Sequence, residues 1–311
     1  MDKEDNWGII GHQKIVKFLQ LSIARERLAQ TYLFYGQRRL GKTTLAGKFA
    51  EILLRTKEAQ ITDLYKIEPL ADKKNITIEQ VREWRQKLRL KSFNQGYKVG
   101  IIFEAEKLNL ESANALLKTI EEPAPQTVII IVSSGWDKIL PTIVSRSQLI
   151  RFSPVARQEI VNGLKDRYHL EQIEKILNLI GGYPGQVIDY LKKIESFEEF
   201  NKLHQAAFKV FKGNLAEKFL IVEGLLSKAE EFNKKVTVAL EFLKHLKIIL
   251  RNQLLDNYNQ ADWQATLSGK IERKRSNAEL AAFGDRLSEA ENQLSGNIQP
   301  RLVLENLLLN L

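Results

Sequence analysis

Gly36-Gln37-Arg38-Arg39-Leu40-Gly41-Lys42-Thr43 puts two glycines, a lysine and a hydroxyl at the spacing of a loop that cradles phosphate. In such a loop the backbone N–H groups point at the phosphate oxygens, and the dipole of the helix that follows supports them. Gly36 and Gly41 let the backbone come close. Lys42 can reach the β- and γ-phosphates of ATP, the Thr43 hydroxyl can ligate Mg²⁺, and Thr44 follows in the first helical turn. Arg39 stands where many such loops carry a third glycine. It either hinders the loop or adds a cation that touches phosphate. The bland alternative is a loop that keeps its shape and binds nothing well.

Hydrolysis needs a carboxylate at the end of a neighbouring strand to hold Mg²⁺, and a second one to activate water. The candidate stretch is Ile101-Ile102-Phe103-Glu104-Ala105-Glu106. Phe103 occupies the expected magnesium position and cannot ligate a metal. Glu104 stands where a water-activating carboxylate belongs, and Glu106 follows two residues on. Glu104 is either the general base of an imperfect site or an ordinary charge at a strand end. For hydrolysis by this chain alone the second reading is preferred.

These groups need a sheet to hold them. Residues 31–35, 98–103, 127–133 and 149–152 are apolar runs of strand length, separated by helical spacing from Thr43 onward and over 111–121. Pro123 and Pro125 stop the second helix. Alternating strands and helices imply a parallel sheet covered on both faces. After Pro154 strand signals vanish. Residues 157–193 read as a small helical module with a Gly181-Gly182-Tyr183-Pro184-Gly185 turn, and residues 196–311 as a helical domain. The clearest helix there carries Val236, Leu240, Leu243, Leu246, Ile249 and Leu250, a stripe that either packs into its own domain or docks on partner subunits.

A chain of 311 residues is long enough for two or three domains. It has no cysteine, which excludes disulfides and thiolate zinc sites, and its four histidines have no metal-ligand spacing. Residues 1–153 hold 25 Lys and Arg against 17 Asp and Glu, a net +8 of the total +9. That basic half suits a polyanionic ligand or a solvated surface. Arg82, Arg85, Lys87 and Arg89 are candidate DNA phosphate contacts, with a solvated helix face the preferred alternative. No apolar run reaches the ~18–20 residues of a membrane span. Met1 to Trp7 is polar and unlike a secretory signal, so a cytoplasmic location is expected.

Glu111-Ser-Ala-Asn-Ala-Leu-Leu-Lys-Thr-Ile-Glu-Glu-Pro123 and Leu140-Pro-Thr-Ile-Val-Ser145-Arg146-Ser147 resemble the clamp-loader ATPase subunits of DNA polymerases. So do Ile10-Gly11-His12-Gln13, the run Thr31–Gly36, and Asn297-Ile-Gln-Pro-Arg-Leu-Val-Leu-Glu305. The resemblance runs along essentially the whole chain and is most specific over 98–152. It implies an AAA+ nucleotide-binding domain at 1–153, a helical lid at 154–195 and an all-α collar at 196–311. In that family a serine-arginine-cysteine motif projects an arginine into the neighbouring subunit's ATP site; the match is Ser145-Arg146-Ser147, with Arg146 acting in trans. Ser133 or Ser134 would be the first sensor.

The departures are informative. The family's motor subunits carry zinc-module cysteines in the region equivalent to 55–97, and an arginine after the second glycine of a glycine-x-proline-glycine motif. Here there is no cysteine, and Gly182-Tyr-Pro-Gly185 is followed by neutral Gln186. This pattern resembles the delta-prime kind of bacterial DNA polymerase III subunit, with ATP and Mg as possible cofactors, no zinc, and weak or absent ATPase of its own. The implied partners are motor gamma/tau and delta subunits, the sliding clamp and primer-template DNA, held by phosphate contacts. An active gamma/tau-like motor is the alternative.

Overall fold

The computed structural model describes residues 6–55, 62–70, 73–93, 96–227, 229–257, 275–309 and 311. The reading of the N-terminus falls mostly on residues 1–5, which lie outside the described residues, as do parts of the 55–97 stretch. The chain divides into two compact units. The first comprises Met1–Gly163 with Gly182–Gly185, the second Leu164–Gly181 with Gln186–Leu311. The stretch 154–195 is therefore shared between them.

In the first unit, β1 (Thr31–Tyr35), β2 (Leu64–Ile67), β3 (Lys98–Ile102), β4 (Thr127–Ser133) and β5 (Gln148–Arg151) form one sheet in the order β2-β3-β4-β1-β5. Every pairing is parallel. Alternate residues face opposite sides of a strand, and both sides are apolar here. Tyr32, Phe34, Val99, Ile101, Val128, Ile130 and Val132 belong to one core, with Val16 and Leu19 of α1 (Gln13–Ala24) and Leu45 and Phe49 of α2 (Lys42–Leu54). Leu33, Ile102, Ile129 and Ile131 belong to the other, with Trp84 of α3 (Ile78–Arg89), Leu116 of α4 (Leu110–Glu121) and Ile143 of α5 (Pro141–Val144). The continuous apolar runs seen in the sequence are what a doubly covered parallel sheet requires.

The strand β2 has no counterpart in the sequence reading. It is a four-residue edge strand in which only Ile67 is buried, so neither length nor pattern marks it. Its partner α3 is held firmly. Thr77 and Gln80 form a reciprocal N-terminal capping box. The Trp84 indole donates to the Tyr65 carbonyl at 2.8 Å. Buried Lys98 donates to the carbonyls of Leu88 and Leu90 at the helix C-terminus. Arg82, Lys87 and Arg89 are exposed and Arg85 is half-buried.

The second unit is helical among the described residues. α6 (Arg157–Leu164) and α8 (Pro184–Lys192) cross the division, and α7 (Leu170–Ile180) turns its buried residues Ile173, Ile176, Leu177 and Ile180 inward. α9 (Ile194–Lys212), α10 (Leu215–Leu226), α11 (Phe232–Asn257), α12 (Asn277–Ser295) and α13 (Pro300–Leu309) share one core. The stripe on α11 enters that core: Leu243, Leu246, Ile249 and Leu250 are buried and Val236 and Leu240 pack against it. Its apolar face is thus used within its own unit.

His204 on α9 and His245 on α11 are buried, with ring centroids 5.6 Å apart and Phe200 against both. Burial pushes His204 down to about 4. Burial, then the fields of His204 and Lys244, pushes His245 down to about 3. Both folded values lie below the ordinary 6.5, so the unfolded chain binds these protons first as pH falls. Stability is fully present above 6.5 and is lost as pH drops from there toward 4 and 3. Urea unfolding midpoints are expected to fall over that window in the native protein. In the His204→Leu/His245→Leu variant the fall should be clearly shallower; an equal slope would exclude these two groups as its source.

Candidate nucleotide cleft and an outward-facing arginine

The strand β1 ends at Tyr35, the chain turns through Gly36 to Gly41, and α2 begins at Lys42. Gly41 caps α2 in the left-handed region, at φ 92°. Thr43 and Thr44 are exposed at the helix start, where the first N–H groups of a helix have no partner within it. A cleft of ≈ 650 Å³ opens here, lined by Gly41, Lys42, Thr43 and Thr44 together with Phe103, Glu104, Glu106, Ser133 and Ser134. It lies at the carboxyl ends of the strands, where ligands of open parallel sheets bind.

Lys42 is buried, and its ammonium donates to the carbonyls of Gly36 and Gln37 at 2.7 and 2.6 Å. An ammonium has three donors, so one remains for a phosphate unless the loop contacts are exchanged. Burial pushes this lysine down to about 8; the field of Glu106 opposes that shift and that of Arg38 adds to it. At neutral pH the group is still mostly cationic.

Arg39 adopts φ 66°, the left-handed conformation that a glycine would take without cost. Its carbonyl accepts the Gly185 N–H at 3.0 Å. The His12 ring bonds the Leu40 carbonyl at 2.9 Å and meets Phe152 edge-on. Tyr183 donates its hydroxyl to the Gln37 side chain. His12, Tyr183 and Gly185 thus brace the loop. The sequence offered no physical signal for that bracing, because these residues lie far from the loop along the chain.

The acidic side of the cleft is arranged unevenly. The Phe103 ring packs against the apolar core below the cleft. Glu104, in a left-handed conformation at φ 49°, forms ion pairs with Arg38 at 3.1 Å and Lys107 at 2.6 Å. Glu106 accepts the Ser134 N–H at 3.2 Å. Burial favours its neutral form, but hydrogen bonds from its own backbone, Ser134 and Ser133 outweigh burial and hold the carboxyl below its ordinary range. Glu106 therefore stays ionised, in the field of Lys42. Ser133 is buried and its hydroxyl bonds both polar backbone groups of Gly135. The residues present fit a nucleotide's phosphates. Position 103, where the sequence reading expected a magnesium ligand, offers an apolar ring and no carboxylate.

Arg146 does not line this cleft. It follows α5, half-exposed, with one terminal nitrogen 3.0 Å from Glu121 and the other donating to the Thr142 carbonyl at 3.1 Å. Gln186 lies in the second unit, where its side chain bonds Tyr190.

Residues 11–156 match the family described as DNA polymerase III, delta subunit. The chain is 29% identical over 183 residues to DNA polymerase III subunit tau of Bacillus subtilis, covering 53% of this chain and 32% of that one. It is 22% identical to DNA polymerase III subunit delta' of the same organism, covering 96% and 95%. Against several gamma, gamma/tau and delta' relatives the chain spans 60%, 40% and 55% of their length. A gamma subunit-related protein from Thermotoga maritima, solved by crystallography, aligns over 93% of this chain and 96% of its own, with a TM-score of 0.48 and 19% identity.

The loop's two glycines are expected to respond differently to alanine. At Gly36, φ is 139° and a Cβ would run into the Phe152 carbonyl oxygen; at Gly41, φ is 92° and nothing lies within 4 Å. Gly41→Ala then costs only backbone strain, about 1–2 kcal/mol. Gly36→Ala is expected to cost clearly more, because backbone must shift as well. Equal losses in chemical denaturation would contradict this geometry.

Proposed function

We propose that this chain, whose residues 11–156 match the family described as DNA polymerase III, delta subunit, is a delta-prime-like clamp-loader AAA+ subunit, one that completes a neighbour's ATP site more than it works its own. The observation that carries this reading is Phe103, an apolar ring at the position of the magnesium ligand. A cleft without that carboxylate can cradle phosphates through Lys42, Thr43 and the start of α2, but binds Mg²⁺ poorly and hydrolyses slowly. Neutral Gln186 in place of the sensor arginine supports the same reading.

The active group is then Arg146, acting in trans. Its guanidinium stands outside the chain's own cleft, half-exposed, with donors to spare. Brought against a motor gamma/tau subunit, it would neutralise charge developing on the transferred phosphoryl group, an effect worth ~10³–10⁵ in rate. The helices of 196–311 would form the collar of a hetero-oligomeric ring that also contains delta, with 154–195 as the lid. ATP bound by the motor subunits would close the ring, open the sliding clamp and grip primed DNA. DNA contacts would be to phosphates and salt-sensitive, with the exposed arginines of α3 as candidates. A cytoplasmic site of action accords with this role; among the described residues no helix is long and apolar enough to cross a membrane.

One observation favours the motor alternative: Glu106 is held ionised in the field of Lys42. The purified chain decides between the two. We expect ATP turnover no higher than that of a Lys42→Ala control; clear Lys42-dependent turnover would make Glu106 or Glu104 a working carboxylate and the chain a motor. In a reconstituted loader, Arg146→Ala should leave folding intact and cut the DNA- and clamp-stimulated ATPase at least about 100-fold. An unchanged rate would remove the trans role.

A further inference from the structure

The side chain of Arg146 is long and has little reason to hold one conformation, yet it is gripped at both ends of its fork. One terminal nitrogen donates to the Thr142 carbonyl at 3.1 Å and approaches the Ser145 hydroxyl at 3.5 Å. The other sits 3.0 Å from Glu121 Oε1. The two anchors come from different elements. Thr142 lies in α5, and Glu121 is the last residue of α4.

Both anchors are rigidly based. α4 is pinned at its start by the Asn109 cap and by the buried Ser112 hydroxyl, which donates to the Ile76 carbonyl at 2.9 Å. Ala113, Leu116 and Ile120 of α4 and Ile139 and Ile143 around α5 share one core. The carboxylate therefore sits on a fixed helix end.

Helix stability gives no reason for an acid there. Glu121 ends α4 and Glu122 caps it, so two carboxylates face the negative end of the helix dipole. Nor does the ion pair compensate greatly. Both side chains are more than 40% exposed, at 43% and 44%, and such pairs contribute little to folding. What the pair does accomplish is to order a side chain with large rotamer entropy. A guanidinium has five N–H donors, and the Thr142 carbonyl, the Ser145 hydroxyl and Glu121 take at most one each. The rest of the fork stays available to an oxyanion from another molecule.

We propose that Glu121 is the positioning residue for Arg146, holding its guanidinium aimed outward before the neighbouring subunit arrives. The proposal rests on the trans role of Arg146. Prior ordering removes the entropy of fixing the side chain in the transition state, which appears in the rate of the chemical step more than in nucleotide affinity. Glu121 touches no phosphate in this scheme; it acts only through the arginine.

The test uses the complete reconstituted loader with its clamp and primed DNA. Glu121→Ala is expected to lower kcat about 3- to 10-fold with KM for ATP little changed, while the melting temperature of the purified chain stays the same. Glu121→Asp should recover part of the loss. The Arg146→Ala/Glu121→Ala double variant should be no slower than Arg146→Ala alone, because the glutamate has nothing left to aim. If Arg146→Ala is damaging and Glu121→Ala leaves kcat unchanged or raises it, the positioning role is refuted and the trans role survives. If the double variant is slower than Arg146→Ala, Glu121 acts by another route. If Arg146→Ala has no effect, the trans role itself has failed.

Discussion

The seating of β1 between β4 and β5 is the constraint on which the functional groups depend. Tyr35, the last residue of β1, lies opposite Ser133 on one side and Arg151 on the other. The glycine-bounded loop 36–41 leaves from Tyr35, the Ser133–Ser134 corner leaves from β4, and Glu106 is bonded to that corner. One strand register therefore sets the distances among Lys42, Glu106 and the serines. A slip of one residue would turn every alternating side chain of β1 to the opposite core. Both cores are closely filled, so the register is strongly specified. Gly36 accepts the consequence, taking a backbone angle and a proximity to Phe152 that no side chain would tolerate.

Much of this was legible in the sequence because the sheet is buried on both faces. Residues 31–35 and 127–133 are apolar or aromatic except for a threonine or serine at their ends and occupy β1 and β4 as expected. The runs 98–103 and 149–152 differ from β3 and β5 by one residue at their ends, within the ordinary uncertainty of element boundaries. The edge strand β2 was not legible, because one buried residue in four leaves no pattern. The stripe on α11 was legible as amphipathic but not as to its partner; only the packing shows that its own unit covers it.

The site was legible by motif and opaque in its tertiary contacts. Spacing alone marked Gly36, Gly41, Lys42 and Thr43 as one loop. It placed Glu104 and Glu106 side by side without showing how they differ. Glu104 is committed to Arg38 and Lys107, whereas Glu106 faces Ser134 and the field of Lys42. Arg39 was ambiguous as a type, and the structure identifies what its position demands: a left-handed residue whose carbonyl meets Gly185. The ion pair of Arg146 with Glu121 joins residues 25 positions apart, and no periodicity could have revealed it.

These contacts separate two functions that the motif alone would merge. A phosphate loop fixes a polyanion by geometry, through N–H groups, a helix start and one lysine, and a loop, a helix start and a lysine stand together at this cleft. Hydrolysis adds a demand for charge, since a metal must be held while phosphoryl charge moves. Phe103 brings no charge to the cleft it lines, and its ring packs against the core of the sheet. Arg146 lies outside the cleft, just after α5, paired with Glu121 at the carboxyl end of α4, where the helix dipole does not call for an acid. An uncharged residue inside the cleft and a paired arginine outside it are separate features of the fold, and both accord with the site-completing role proposed above.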